Sequence, residues 1–291
     1  MVSLNMHDCL LRIKRNNILF IMKYKNIQNL EQFKKDYDEL TIQEMVNKYK
    51  LNPKTIWSYV TKLGVNRLKG SKRKYKVNDN YFSIGNNCPN KYYILGLIYT
   101  DGNLPIKNKN AFIISNVDKQ LLEDIKEELG YTGKITTEYH KKFNKYIYKL
   151  QITSPKIRKD LESLGLNPNK TFDLKFPNIP KEYLRDFIRG LWDGDGSVMT
   201  PLTRQRTSKM LSSSFVCASE SFINDLLKLL PTKKKVVNKR QRKTILYSIS
   251  FRGFDSLRIK EFLYYENCLC MKRKRDIFYS YKPRRSETII H

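Results

Sequence analysis

The chain has 291 residues, 40% of them hydrophobic, and carries 56 Lys+Arg against 28 Asp+Glu for a formal net charge of +28. That length and apolar content suffice for two or three buried cores, and 12 glycines and 10 prolines are too few for a largely disordered basic protein. The positive excess makes a polyanion, nucleic acid first, the natural partner, as it would for a ribosomal or chromatin protein, while no apolar run approaches the ~20 residues that cross a membrane.

Residues 1–26 read as an N-terminal extension whose apolar and basic run (Leu10, Leu11, Ile18, Leu19, Phe20, Ile21) is too short and interrupted for a signal peptide. Cys9, Cys88 and Cys217 are isolated, and Cys268-x-Cys270 has the wrong spacing for a zinc knuckle. Free thiols in a reducing compartment follow, so the expected location is the cytoplasm, in a bacterial or phage-like setting, or an organelle, and the chain is not secreted. Residues 27–70 predict a helix-turn-helix module. Thr41-Ile42-Gln43-Glu44 is a capping box, Lys50-Leu51-Asn52 a short turn, and Asn52-Pro53 an N-cap followed by proline at the first helical position. The second helix turns Ile56, Val60 and Leu63 inward, which leaves Lys54, Thr55, Ser58 and Lys62, with Trp57 or Tyr59, to meet DNA. An ordinary helical hairpin is the other reading. Residues 71–88, opening on Lys72-Arg73-Lys74-Tyr75-Lys76, read as a basic linker that lies along phosphates or serves as a solvated tether.

Next come two copies of one pattern, Leu95-Gly96-Leu97-Ile98-Tyr99-Thr100-Asp101-Gly102 and Ile188-Arg189-Gly190-Leu191-Trp192-Asp193-Gly194-Asp195-Gly196. Each is an apolar helical run that stops at Asp-Gly, and they are separated by the length of a small domain, so the chain reads as a duplicated unit with one acid per copy. Small residues recur four apart (Gly96 with Thr100, Gly190 with Gly194), a spacing that lets two helix backbones approach closely. Packed together, the two helices bring Asp101 beside Asp195 at the negative ends of two helix dipoles. Carboxylates so placed repel unless a cation lies between them, and hard oxygen ligands with room for water and phosphate suit Mg²⁺ better than Zn²⁺.

These residues resemble the LAGLIDADG homing endonucleases in their single-chain, two-motif form, over roughly Asn90 to Tyr281. The approach Phe176-Pro177-Asn178-Ile179-Pro180 is similar to the one that leads into a second motif of that family. The resemblance implies that Asp101 and Asp195 are the metal ligands, with Gly102 and Gly196 completing the metal site beside them. It implies that the earlier position, Tyr99 in one copy and Asp193 in the other, is a helix cap rather than a ligand. It also implies a monomer that cuts both strands of a long DNA duplex across the minor groove, leaving short 3′ overhangs.

Within residues 89–178 and 179–282 the same elements recur: helix, two strands, helix, two strands, helix, an α+β plan, followed by a tail at 283–291. Strands are predicted near Ala111–Ser115 and Ser213–Ala218, helices over Val117–Leu129 and Glu220–Leu230, and closing helices over Pro155–Leu164 and Phe254–Tyr265. If Tyr148, Leu150 and Ile152 pack on helices, alternation turns Lys149, Gln151 and Thr153 to the open face, and Ser248, Ser250 and Arg252 likewise in the second copy. These six are candidate DNA contacts. Arg252, expected at the inner end of its strand, and Lys149 are candidate cations for the phosphate undergoing cleavage, and Gln151, Ser250 or Arg252 candidate anchors for a water network. Arg204 and Arg206 in the hairpin 203–209, Lys233-Lys234-Lys235 and Lys239 to Lys243 extend the phosphate footprint. Lys272-Arg273-Lys274-Arg275 reads as a solvated or DNA-facing basic helix. Two other functions share the motifs: a maturase with intron RNA as partner, and a DNA-binding transcriptional regulator that does not cleave, which need not keep both aspartates.

Overall fold

The computed structural model describes residues 27, 29–62, 75–168, 174–202, 209–233, 235–241 and 244–283. They belong to two compact units, one ending at Tyr75 and the other beginning at Lys76.

The first unit holds helices α1 (Leu30–Glu39), α2 (Ile42–Tyr49) and α3 (Pro53–Lys62). Each start has a side-chain cap: Asn29 Oδ1 accepts from the Gln32 amide at 3.1 Å, and Asn52 Oδ1 accepts from the Thr55 amide at 2.8 Å. At α2 the box closes in both directions, Glu44 N–H to Thr41 Oγ1 at 3.2 Å and Thr41 N–H to Glu44 Oε2 at 2.6 Å. Lys50, left-handed at φ 53°, ends α2 and starts the turn into α3. Ile27, Phe33, Tyr37, Met45, Ile56 and Val60 form the core. Leu63 and the rest of the module lie outside the described residues.

The second unit is α+β and built twice. The first repeat runs α4 (Pro89–Asp101), β1 (Gly102–Asn103), β2 (Ala111–Asn116), α5 (Lys119–Glu128), β3 (Thr136–His140), β4 (Lys145–Thr153) and α6 (Pro155–Ser163). The second repeats that order as α7 (Leu184–Asp195), β5 (Gly196–Met199), β6 (Ser212–Cys217), α8 (Glu220–Leu229), β7 (Asn238–Gln241), β8 (Ile245–Arg252) and α9 (Phe254–Leu263), then adds α10 (Lys272–Ser280). Both sheets are antiparallel with matching order, β1-β2-β4-β3 and β5-β6-β8-β7. Helix α4 is buried from Lys91 to Tyr99 and α7 from Asp186 to Asp193, so the motif helices form the middle of one core shared by both repeats.

Three expectations are corrected here. Residues 76–88 are not a tether: Tyr81 and Phe82 are buried, and Lys76 and Thr132 exchange backbone and side-chain hydrogen bonds at 3.1 and 2.8 Å. Helix α5 starts at Lys119 rather than residue 117, because Asp118 is spent as the cap on the Leu121 amide at 3.2 Å. Helix α9 stops at Leu263 because Tyr264 turns extended and sends its hydroxyl to Asp193 at 2.6 Å.

Candidate functional site

The site begins with absent side chains. A Cβ on Gly96 would lie against the Phe187 carbonyl oxygen and 3.0 Å from the Leu191 amide nitrogen; one on Gly190 would meet the Tyr93 carbonyl and, at 2.8 Å, the Leu97 nitrogen. One turn on, Gly194 packs on Thr100. All four small residues of the two motifs thus meet each other, and the helices cross backbone to backbone.

That crossing delivers the two acids. Asp101 is partly exposed and Asp195 exposed, each the last residue of its helix and each followed by a glycine that opens a strand. Asn116, buried at the end of β2, donates its Nδ2 hydrogen to Asp101 Oδ2 at 2.6 Å. Cys217 ends β6 as Asn116 ends β2. Burial first, and the Asp195 carboxylate after it, push the Cys217 thiol up. The acids therefore sit in matched places with unequal neighbours.

Lys274 is anchored beside them. Its Nζ donates to the carbonyls of Trp192 at 3.0 Å, Asp193 at 2.6 Å, Gly194 at 3.1 Å and Gly196 at 2.5 Å, and so closes off the C-terminal end of α7. Burial pulls its ammonium down to about 8, against the carboxylates of Asp193, Asp101 and Asp195, which favour the charged form. This corrects the reading of 272–275 as a wholly solvated or DNA-facing basic segment: Lys274 is buried, while Lys272 and Arg273 are exposed. The sequence offered no sign of it, since one lysine among four cations carries no mark of burial. Lys235, expected in the phosphate footprint, similarly caps α8 through the Leu227 and Leu230 carbonyls at 2.7 and 2.6 Å.

Asp193 is fully buried and does not cap its own helix. It accepts from the Tyr93 hydroxyl at 2.9 Å, the Tyr264 hydroxyl at 2.6 Å and the Met271 amide at 2.7 Å, tying α4, α9 and α10 to α7. Burial pushes its carboxyl above the ordinary range, opposed by those three donors. Tyr99, the matching residue of the first motif, donates to the Leu164 carbonyl at 2.6 Å. Arg189, also fully buried and also missed, pairs with Asp186 at 2.8 Å and lies between the rings of Tyr93 and Tyr265.

The sheets place the remaining candidates. Leu150 and Ile152 are buried and Gln151 and Thr153 exposed; Tyr247, Ile249 and Phe251 are buried while Ser248 and Ser250 are partly exposed and Arg252 exposed. Lys149 pairs with Ser115, the residue after the Gly102 partner Ile114, which puts it in the row beside Asp101. It is ion-paired to Glu138, whose carboxyl it holds below the ordinary range, first through the hydrogen bond and then through charge. Arg252 pairs with Ser212 in the row of Met199, at the end of β5 away from Asp195, so the expected inner position is reversed. Ser248 takes the place matching Lys149. Lys54 and Lys62 on α3 are exposed, Thr55 and Ser58 partly so. Arg204 and Arg206 lie outside the described residues, as do Lys234, Arg242 and Lys243.

Among the described residues no group of three or more His, Cys, Asp or Glu could close around a metal ion, and the described cysteines are free. What the site offers is a pair of carboxylates with glycine carbonyls beside them, the Gly196 oxygen already accepting from Lys274. So hard an oxygen donor set is unlike the closed sulfur and nitrogen cage of a structural zinc site. No described helix is long and apolar enough to cross a membrane.

The model of the LAGLIDADG-like domain matches residues 89–164 and again 182–259. No curated protein matches the chain. Among solved structures, the LAGLIDADG meganuclease I-AabMI bound to uncleaved DNA is 16% identical, covering 66% of this chain and 88% of its own, with a TM-score of 0.44. The LAGLIDADG homing endonuclease I-LtrWI bound to target DNA is 16% identical, with coverages of 69% and 89% and a TM-score of 0.41. Full-length DUF199/WhiA from Thermatoga maritima is 15% identical, with coverages of 74% and 66% and a TM-score of 0.41.

Proposed function

The chain belongs to the LAGLIDADG-like domain family, and from that premise we propose that it is a site-specific endonuclease that cuts both strands of a long DNA duplex, acting as a monomer. The observation that carries this reading is the backbone contact of Gly96 with Phe187 and of Gly190 with Tyr93, with Gly194 packed on the Thr100 side chain, which brings together two helices that each end on an aspartate and lead into a sheet with a polar open face. A protein that only bound DNA would need the sheets but not the acids.

Asp101 and Asp195 are the residues that would hold divalent ions, Mg²⁺ by the hardness of the donors. Such ions, when bound, lower the pKa of attacking water and neutralise charge on the leaving oxygen. The chain's own groups do the rest. Asn116 orients Asp101 through its 2.6 Å hydrogen bond, and Lys274 fixes the peptide segment that carries Asp195. Lys149, in the row beside Asp101, is the cation best placed to meet a phosphate next to the acids. Gln151 and Ser250 stand one row out and suit base edges or ordered water. Arg252, on the outer row, suits a phosphate or base contact remote from cleavage, as does Thr153 in the first repeat. Lys54, Thr55, Ser58 and Lys62 on α3 would add a second, separate DNA contact of the helix-turn-helix kind.

Selection of cleaved sites from a randomised duplex library tests the proposal. With Mg²⁺ present a single extended site is expected among the cut products, and none with chelator. Binding of folded intron RNA with no duplex cut at any sequence would favour the maturase reading, and duplex binding without cutting would favour a regulator.

A further inference from the structure

The two repeats share a backbone plan but not a surface. Strand register sorts the open face of each sheet into rows. In the first repeat Asn103 stands beside Ile113 and Gln151, and Ser115 beside Lys149 and Thr136. In the second, Ser197 stands beside Ser214 and Ser250, Met199 beside Ser212 and Arg252, and Val216 beside Ser248. Where one sheet presents Asn103, Gln151 and Lys149, the other presents Ser197, Ser250 and Ser248 at the same places, and the five serines of its open face, Ser212 and Ser214 included, are partly exposed.

The chemistry of the two surfaces differs in kind. A carboxamide presents one donor group and one acceptor in fixed order, so Asn103 and Gln151 match some base edges and reject others. A hydroxyl rotates to donate or accept, pairs with any base, and on so short a side chain reaches a groove edge largely through water. We propose that the repeats divide specificity unequally: the first sheet reads its half of the duplex base by base, whereas the serine-paved second sheet tolerates sequence change in its half, except opposite Arg252 and the outer strand β7. This rests on the DNA-cleaving reading above and assigns which part of that interface discriminates.

The test is enrichment of bound duplexes by the full chain from a randomised library, scored position by position. Base preference is expected to concentrate in one half of the recovered site. Gln151→Ser should relax preference at one position of that half by about tenfold or more, and Ser250→Gln should create a preference of similar size in the other half. Gln151 is exposed, so its loss leaves the fold intact even if the larger residue at position 250 is poorly accepted. Preference spread evenly over both halves, or a Gln151→Ser variant as selective as the wild type, overturns the division and leaves the DNA reading standing. Failure to enrich any duplex overturns both.

Discussion

At the scale of single residues, the proposed cleavage would rest on groups that hold the acids as much as on the acids themselves. Asp193→Ala leaves two buried tyrosine hydroxyls and the Met271 amide without their acceptor, each at a cost of about 1–3 kcal/mol. A large fall in melting temperature is expected, with cleavage by the folded fraction retained; a stable but inactive Asp193→Ala protein would move Asp193 into the chemistry. Lys274→Met should lower stability too, and with a distinctive pH dependence. The folded ammonium titrates near 8 against an ordinary 10.5, so between those values the unfolded chain binds more protons and wild-type stability rises with pH. Denaturant unfolding at pH 7.5 and 9.5 should show the wild type gaining on the variant at the higher pH; a constant gap would contradict the buried position. Asp101 and Asp195 were legible as a pair because their motif repeats. Lys274, Arg189 and Asn116 were not, because burial of a polar side chain is decided by partners distant in sequence and leaves no periodic trace.

At the scale of elements, the crossing of α4 and α7 is the decisive contact. Gly96→Leu and Gly190→Leu each place a side chain where a neighbouring backbone carbonyl already stands, and overpacking of ~1–3 kcal/mol or more is expected because backbone, unlike a flexible side-chain end, cannot step aside. Melting temperature and cleavage should fall together in both variants, and wild-type stability in either would contradict the backbone contact. The helical order of each repeat and the facing of β4 and β8 followed from apolar spacing and alternation. The position and two-residue length of strand β1, the early end of α9 and the docking of residues 76–88 did not, since each is set by a tertiary partner: Ile114 for Gly102, Asp193 for Tyr264, Thr132 for Lys76. Arg252 falls at the outer rather than the expected inner end of its strand for the same reason, because register with β5 and β6 is a property of three strands together.

At the scale of the whole molecule, a charge of +28 and two compact units predict a footprint longer than the duplicated core covers alone. Deleting residues 1–75 should shorten the protected DNA on one side only and flatten the dependence of log K on log salt by about 0.9 for each phosphate that is no longer neutralised. An unchanged footprint and slope would make the N-terminal unit a structural or protein-binding module. The central claim, that one acid from each repeat serves a shared cleavage centre, is tested most directly by strand-resolved cleavage of a selected duplex with Asp101→Asn and Asp195→Asn, with affinity measured on the same DNA. Loss of double-strand cutting in each variant, at nearly unchanged affinity, is predicted; full double-strand cutting by either variant would contradict it.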